Sequence, residues 1–426
     1  MKQFFSKIWH SSSARNFAKL FSANVFAQAL GLFVYPILTR LYSPEDFGLL
    51  NLFISIGGIL ALLSTSEYQN AILLPKREDE ASGVARVALC LLGIWLVVIA
   101  ITIPIAQPLT QLFAAPSLAS YYWLLVPYVA MMGCWAIYNA WLTRNRDFGR
   151  ISAYQVNQST TGVITKLLFG WAGWLRGGLI ISSVLSPFIA LCTSILRSRD
   201  RFRALWQTTS EPLAAIAKRY RRFPLFTMPR SLVNNLSGNL PALLLTPYFG
   251  LSEMGFFALA QTLAFRPITM ISASIHQVLF EMVAKNVREG QPVRVWLLKK
   301  WGLLAAIVLP TMIILTIIMP WLVRVLLGDG WDETATLIRY MMPWLTCVFL
   351  VSPLAFISEV FGRQKLFLII ELLYLGLRVA AMVIGIVCNN FSLAIILMSA
   401  AGTIILLVQL GCYNRIVRVH DRMCLS

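Results

Sequence analysis

Charged residues are scarce in this sequence. Of its 426 residues, 13% are Asp, Glu, Lys or Arg and 58% are hydrophobic, whereas soluble domains carry about 25% charged and 45–50% apolar residues. The mean hydropathy of +0.72 implies more apolar surface than one water-soluble core of this size can hide. These proportions exclude a soluble enzyme, a secreted disulfide scaffold and a disordered chain. Since a helix needs about 20 apolar residues to cross a bilayer, the length predicts an all-α polytopic membrane protein with about twelve spans.

The sequence also lacks the motifs of membrane enzymes and metal sites. It has three histidines and seven cysteines, without a CxxC, HExxH, GxSxG or P-loop motif. We interpret the cysteines as small apolar side chains, so we predict no disulfide, metal or cofactor. His276 is more typical of helix packing or a pore lining than of a general base. The acidic cluster Asp329, Asp332 and Glu333 is expected to begin a helix, with an ion or substrate contact as the alternative.

Apolar runs bounded by Pro, Gly or charge clusters divide the chain into two sets of six helices. The expected helices are 20–40, 46–74, 84–106, 121–143, 151–173, 177–196, 223–247, 254–284, 301–326, 337–358, 366–387 and 392–412. The resulting organisation is a basic N-terminal segment (1–19), an N-lobe (20–196), a basic linker (197–222), a C-lobe (223–412) and a tail (413–426). The N-terminal segment is amphipathic and could lie in the membrane interface, although a plain cytoplasmic tail is an equal alternative.

The net charge of +18 is explained by topology. If both termini are cytoplasmic, the inner segments hold 27 Lys and Arg residues and the outer segments hold 4. This asymmetry follows the positive-inside rule and predicts a multi-pass protein of the inner membrane with both ends inside. The basic segments are expected to contact anionic lipids rather than nucleic acid.

An internal repeat relates the beginnings of the two lobes. At an offset of 207, Gly31, Leu38, Thr39, Gly48 and Leu52 align with identical residues. Both halves have an even number of spans, so they would share one orientation in the membrane. A parallel repeat of this kind predicts a substrate site between two lobes that can rock.

A few charged residues lie within or near the apolar runs. The basic ones of interest are Lys166, Arg230, Arg266 and Arg378. A charge in a membrane helix is costly unless it pairs or faces water, so each is a candidate for lining a cationic cavity. Structural ion pairs and snorkelling toward a helix end are the alternatives, the latter above all for Arg230. A cavity with surplus positive charge would suit phosphate.

Acidic and amide side chains accompany these basic residues. Glu67 and Glu371 are candidates for coupling transport to a proton or sodium gradient. Two pairs, Asn24 with Gln28 and Asn235 with Asn239, are four residues apart in the first helix of each lobe. Each pair would share one helix face, as a polar cavity lining requires. Hydrogen bonding between helices is the competing explanation.

Several stretches resemble a known family. PILTRLYSPEDFGLLNLF (36–53) and YQNAILLPKREDEA (68–81) are similar to the N-terminal signature of bacterial polysaccharide-biosynthesis, or O-antigen, flippases. These flippases belong to the multidrug/oligosaccharidyl-lipid/polysaccharide (MOP) exporter superfamily. Three stretches of the second half agree with this resemblance. They are YRRFPLFTMPRSLVNNLS (220–237), PYFGLSEMGFFALAQTLAFRPITMISASI (247–275) and GDGWDETATLIRYMMPWL (328–345).

The resemblance implies a fold and a function. The expected fold is twelve helices in two lobes of six, as in multidrug (MATE-like) transporters, working by alternating access. The expected substrate is an undecaprenyl-pyrophosphate-linked oligosaccharide, such as an O-antigen unit for lipopolysaccharide, moved from the cytoplasmic to the periplasmic leaflet. In the family, basic cavity residues hold the pyrophosphate, a role for which Lys166, Arg266, Arg378 and Arg230 are the candidates here. A glycan polymerase and a chain-length regulator are possible partners.

Two other functions stay open from the sequence. A cation or drug antiporter of the same superfamily is the first alternative. A membrane glycan polymerase, which is an enzyme, is the second. The longest outer segment, 107–120, carries no charge, whereas a polymerase would need a larger polar outer loop, so we expect no enzymatic activity.

Overall fold

The computed structural model describes residues 12–205 and 211–425, and every regular element in these two segments is a helix. Residues 1–11 of the expected interfacial segment, residues 206–210 of the expected linker and the last residue lie outside the described segments.

Twelve long helices account for most of the described chain. They are α1 Ser12–Leu41, α2 Pro44–Thr65, α3 Glu78–Ile101, α4 Leu125–Arg144, α5 Phe148–Trp171, α6 Leu175–Arg197, α7 228–249, α8 251–288, α9 Arg294–Leu327, α10 Asp332–Val351, α11 Gln364–Val387 and α12 Phe391–Leu425. Helices α7 and α8 follow each other without a loop, and the non-helical Gly250 (φ 84°, ψ 176°) separates them. The prediction of an all-α polytopic fold with about twelve helices is confirmed.

Ten helices of the described chain are long and apolar enough to cross a membrane. One of these ten, Phe223–Arg288, contains both α7 and α8, and α5 is not among the ten. Helix α5 carries the run QVNQSTTG followed by Lys166, and these polar residues lower its hydropathy. A polar helix within a membrane bundle has to face protein or water rather than lipid.

Several helix boundaries differ from the sequence prediction. Helix α2 ends at Thr65 rather than at residue 74, because Ser66 (φ 45°) and Glu67 (φ 63°) adopt left-handed conformations. A 3-10 helix, Pro116–Leu124, precedes α4. Helices α9 and α12 extend beyond the expected apolar runs because polar residues continue their helical turns outside the span. Apolar patterning marks the membrane crossing and not the end of a helix.

Short helices connect the long ones. They are Tyr68–Ala71, Ala106–Gln111, Arg199–Ala204, Leu213–Arg219 and Ile357–Val360, with 3-10 turns at Ile103–Ile105 and Ser352–Leu354 and a π-helical turn at Phe223–Thr227.

The chain forms two compact units, Met1–Gly255 and Phe256–Ser426. In the first unit, α1 packs on α5, α5 packs on α6, and α2, α3 and α4 pack on one another. Its buried core has two clusters. One includes Trp141, Tyr154 and Ile216, and the other includes Phe53 and Leu125. The division into lobes at the linker stays a prediction.

The second unit contains most of α8 and the four helices that follow it. Helix α12 packs on both α10 and α11, and α9 packs on α10. Its core cluster includes Val283, Leu297, Phe356 and Tyr413, and the ring of Phe367 stacks on that of Tyr413 at 4.8 Å between centroids. These contacts tie the extended ends of α9 and α12 to the membrane-spanning part of the unit.

Candidate functional site

Two glycines allow the first turns of α2 and α8 to touch backbone to backbone. A Cβ atom at Gly48 would lie 1.9 Å from the carbonyl oxygen of Leu251, and one at Gly255 would lie 1.8 Å from the carbonyl oxygen of Pro44. No side chain fits at either position. The contact is reciprocal, because Pro44 and Gly48 correspond to Leu251 and Gly255 at the repeat offset of 207. This contact, which we call the glycine crossing, supports the internal repeat.

The two helices of the glycine crossing, α2 and α8, begin in different ways. Ser43 caps α2 through a capping box, in which its backbone N–H donates to Oδ2 of Asp46 at 2.9 Å and its Oγ accepts from the Asp46 N–H at 3.3 Å. On the other side, the positive φ of Gly250 lets α8 begin directly after α7. The two first turns therefore have fixed geometry where they meet.

Helix α5 carries a polar network that connects it with α1 and α6. The amide of Asn157 donates to Oγ1 of Thr193 at 2.5 Å, and Oγ1 of Thr161 donates to Oδ1 of Asn157 at 3.1 Å. Ser159 donates to the carbonyl oxygen of Ala27 on α1 at 2.9 Å. Bonds of this kind stabilise contacts between helices in a membrane. Asn157 therefore has a role in packing α5 against α6.

Lys166 lies two turns further along α5. Its side chain is half-buried, and its carbonyl oxygen accepts a hydrogen bond from the hydroxyl of Tyr42 at 2.7 Å. This bond holds the end of α5 against the turn that follows α1. The position fits a basic residue inside the first unit, and its role toward a substrate stays a prediction.

The two predicted amide pairs differ in what they contact. The side-chain amide of Asn239 donates to both the backbone oxygen and Oδ1 of Asn235, each at 2.9 Å, so these two residues share one face of α7 as predicted. Asn24 and Gln28 are half-buried on α1. Arg230, near the start of α7, is exposed, which agrees with snorkelling at a helix end. The part of both amide pairs and of Arg230 in lining a cavity stays a prediction.

Arg378 is the most deeply buried of the four basic candidates, with 6% of its surface exposed. Its guanidinium lies 5.4 Å from the ring centre of Tyr374 and 5.9 Å from that of Trp344, and Nη2 lies 3.8 Å from Sδ of Met398. A guanidinium is attracted to aromatic faces, and its planar shape also lets it stack on them. The second unit therefore holds a positive charge among aromatic rings in the interior of a membrane helix bundle.

The remaining candidates lie at exposed or strained positions. Arg266 on α8 and Glu371 on α11 are both exposed. Glu67 is buried, and its carboxylate accepts hydrogen bonds from the side-chain amides of Asn70 and of Gln69, the latter at 3.2 Å. Its left-handed backbone lies at the break after α2, a conformation that is uncommon for a residue with a side chain. Ion coupling by Glu67 or Glu371 stays a prediction.

The short helix Leu213–Arg219 docks on α3 and on the short helix Tyr68–Ala71, a contact that the sequence analysis did not predict. Ile216 is fully buried there, and the hydroxyl of Tyr68 donates to the carbonyl oxygen of Ala217 at 2.9 Å. The only sequence signal is the apolar LAAIA inside a basic linker. An isolated apolar run of this length is too short to identify a docked helix.

Polar contacts fix the end of the docked helix. Arg219 forms ion pairs with Glu80 at 2.6 Å and Glu211 at 2.8 Å, and the hydroxyl of Tyr220 donates to Oε1 of Glu80 at 3.0 Å. Burial, and then the hydrogen bond to Glu80, raise the pKa of Tyr220 above its ordinary value. The carboxylate of Glu80 therefore receives two donors from the linker.

The residues considered for chemistry have structural roles here. His276 packs against the rings of Phe280 and Phe356, as helix packing predicts. Asp332 begins α10 and pairs with Arg324 at 3.0 Å, so the acidic cluster starts a helix as expected. Within residues 12–205 and 211–425, no group of three or more His, Cys, Asp or Glu side chains could hold a metal ion.

Comparison with known families identifies the group to which this architecture belongs. Residues 37–336 match the family model described as "Polysaccharide biosynthesis protein", and this segment covers more than half of the chain. The chain belongs to the polysaccharide biosynthesis protein family. The resemblance inferred from its motifs is confirmed.

A curated relative and several solved structures are similar to this family member. The succinoglycan biosynthesis transport protein ExoT of Rhizobium meliloti (strain 1021) is 22% identical over 256 residues, which cover 60% of this chain and 50% of that protein. This chain thus spans about half the length of the curated relative that it matches. The lipid II flippase MurJ, in an inward closed conformation, is 15% identical with a TM-score of 0.72, covering 95% of this chain and 90% of that one.

Transporters of the MOP superfamily have the same fold. An inward-facing multidrug resistance MATE family transporter aligns with a TM-score of 0.63 and 16% identity, over 95% of each chain. A MOP superfamily transporter from Pyrococcus furiosus aligns with a TM-score of 0.62 and 14% identity, over 97% of this chain and 98% of that one. The MATE-like fold is confirmed.

Proposed function

We propose that this protein is a flippase that moves an undecaprenyl-pyrophosphate-linked oligosaccharide from the cytoplasmic to the periplasmic leaflet. The observation that carries the proposal is the family match over residues 37–336. The curated relative is named as a succinoglycan transport protein and one structural neighbour as a lipid II flippase. Both names point to a glycan substrate, and the second also to a lipid-linked one.

Basic side chains on the membrane helices support an anionic substrate group. Lys166 is half-buried in a polar helix, Arg378 is buried among aromatic rings, and Arg266 is exposed on α8. Guanidinium and ammonium groups match the oxygens of a pyrophosphate. Of the three, Arg266 has the most exposed side chain in this conformation. The polyprenyl tail would stay in lipid while the headgroup crosses.

The glycine crossing supports transport by alternating access. It joins the first turns of two helices that correspond in the internal repeat, and the contact is made by backbone atoms at Gly48 and Gly255. A reciprocal contact of this kind is self-complementary and can close or open as one unit. We propose that it closes the periplasmic end in this state and separates when that end opens.

The membrane orientation is part of the proposal. Basic residues number 27 in the segments assigned to the inside and 4 in those assigned to the outside, which supports cytoplasmic termini in the inner membrane. A glycan polymerase and a chain-length regulator acting on the delivered oligosaccharide are the expected partners. Glu67 and Glu371 are the candidates for coupling to a proton or sodium gradient.

The test is the location and length of the lipid-linked glycan in cells depleted of this protein. We expect single repeat units to accumulate in the cytoplasmic leaflet. A membrane-impermeant oxidant added to spheroplasts should therefore leave them unmodified. The intact gene should restore delivery, and Arg266→Ala should reduce it about tenfold or more, since a hydrogen bond to a charged group contributes about 1.5–3 kcal/mol. Arg339→Ala, which removes an exposed arginine of α10, is the matched control and should leave delivery unchanged.

Each other outcome identifies an alternative. Normal periplasmic delivery in a strain without a redundant transporter would contradict the flippase and favour a cation antiporter. Single repeat units that the oxidant does reach would favour a polymerase.

A further inference from the structure

An apolar groove lies at one end of the second unit. It is a cavity of about 330 Å³ among the first turns of α9, the turns that follow α10, and residues 407–417 of α12. Its walls are aliphatic and aromatic side chains, among them Leu298, Trp301, Leu354 and Leu407. Leu298 and Leu407 are 42% and 54% exposed at its mouth, so the groove is open along its side.

Gly411 leaves part of the groove wall on α12 open. It lines the cavity on α12, and a Cβ atom added there would meet no other heavy atom within 4 Å. A glycine inside a helix weakens the helix and contributes no packing. Here the absence of a side chain leaves space that a neighbouring molecule can fill.

The groove has one polar end, formed by Arg294 and Asn414. Nε of Arg294 donates to Oδ1 of Asn414 at 3.2 Å, and the backbone N–H groups of Val293 and Arg294 donate to the carboxylate of Asp421, each at 2.9 Å. Because Asp421 is buried and occupied by these backbone donors, the base of the arginine side chain is held in place. The fork of its guanidinium remains available to an anion.

The surroundings of this polar end are strongly basic. Residues 285–300 and 411–425 together contain eight Lys and Arg residues and two acidic ones, Glu289 and Asp421. Such a cluster beside a membrane helix attracts anionic lipid headgroups. Trp301 lines the groove and donates its indole N–H to the carbonyl oxygen of Leu350 at 3.1 Å, which fixes one wall.

We infer that this groove binds an anionic glycerophospholipid, with one acyl chain along α9 and α12 and the phosphate on Arg294. Within a bilayer, apolar contact alone gives no preference for one lipid over another, because all tails are equally apolar. Selectivity has to come from the charge at the polar end. At about 330 Å³ the cavity holds a segment of one acyl chain and not the whole of a long polyprenyl chain. This inference does not depend on the transported substrate.

The test measures which lipids stay on the full-length protein. Purified protein is equilibrated with equal amounts of phosphatidylglycerol and phosphatidylethanolamine in mixed micelles, and retained lipid is counted by native mass spectrometry. We expect about fivefold enrichment of phosphatidylglycerol, the factor expected for about one basic charge at a membrane surface. Arg294→Gln should abolish the enrichment, while Arg339→Gln, at an exposed position of α10 outside this basic cluster, should preserve it.

A second variant fills the groove without removing a contact. Gly411→Leu places a side chain in open space and should reduce the retained lipid by about one molecule per protein. Gly376→Leu on α11 is its matched control, because a Cβ atom there also meets nothing within 4 Å. If Gly411→Leu does not yield folded protein, Leu407→Trp fills the groove from its exposed mouth.

Three results would overturn the inference. The first is equal retention of the two lipids by the unmodified protein. The second is unchanged retention in both Gly411→Leu and Leu407→Trp. The third is displacement of phosphatidylglycerol by equimolar undecaprenyl phosphate, which would assign the groove to the polyprenyl carrier.

Discussion

The chemistry of single residues is clearest at Arg378, where a charge is enclosed by Tyr374, Trp344 and Met398. A buried charge is expensive, and replacing it with an apolar residue of similar volume is often neutral or stabilising. A purely structural arginine at this position would therefore be dispensable. The same residue would be indispensable if its charge serves an anionic substrate in another state of the transport cycle.

We predict that Arg378→Met separates these two roles. The midpoint of thermal unfolding in detergent should stay the same or rise, because methionine fills the space and leaves no charge to bury. Delivery of the lipid-linked glycan should fall about tenfold or more if the charge binds substrate. Arg339→Met at an exposed position of α10 controls for the loss of one positive charge. Full delivery by Arg378→Met would make the residue structural only.

At the scale of elements, hydropathy predicts where helices cross the membrane and little else. The expected helices correspond one for one to α1–α12, and the gap between the seventh and eighth contains Gly250, which divides α7 from α8. The early end of α2 could not be predicted, since Ser66 and Glu67 are not residues that usually adopt positive φ. The continuation of α12 depends on a distant contact, Asp421 with the backbone of Val293.

The candidate site shows the same limit. The sequence identifies which polar residues lie in apolar runs, because that requires only counting along the chain. It could not tell that Asn157 binds Thr193 or that Arg378 lies beside Trp344 and Met398, since these partners are on other helices. The repeat alignment paired Gly48 with Gly255, yet only the structure reveals that the two backbones touch.

The docked linker helix provides a prediction at the element scale. Burial, followed by the hydrogen bond to Glu80, raises the pKa of Tyr220 above its ordinary value of 10, and the charges of Arg219 and Arg144 oppose this as smaller effects. Below pH 10 the phenol is protonated in both the docked and the released helix. Above that pH the released form ionises first, so docking should weaken as pH rises.

A spin label at Lys218, an exposed position of the docked helix, measures whether this helix leaves its docked position. We expect the mobility of the label to stay constant up to about pH 10, the ordinary pKa of tyrosine, and to increase as the pH rises further. Tyr220→Phe should remove the pH dependence. An unchanged pH response in Tyr220→Phe would assign the release to lysine or arginine side chains instead.

For the whole molecule, the glycine crossing is the contact on which alternating access would depend. A methyl group at Gly48 would lie 1.9 Å from a backbone oxygen, so the two first turns would have to move apart. Overpacking of this kind costs about 1–3 kcal/mol, which is enough to redistribute two states that differ by a few kcal/mol. Gly58 on α2 is a matched control, since a Cβ atom there meets nothing within 4 Å.

We predict that Gly48→Ala shifts the protein toward the state in which the crossing is open. Spin labels at Glu45 and Tyr248, both exposed near the crossing, report the separation of the two helices in a variant without native cysteines. The unmodified sequence should give mainly the short distance in detergent, and Gly48→Ala should populate a longer one. Gly58→Ala should match the unmodified sequence. A second label pair, at Glu45 and Leu112, should keep one distance throughout, because a change there would indicate unfolding. If Gly48→Ala keeps the short distance while both helices stay folded, the crossing is a static contact, and the periplasmic end has to open by another movement.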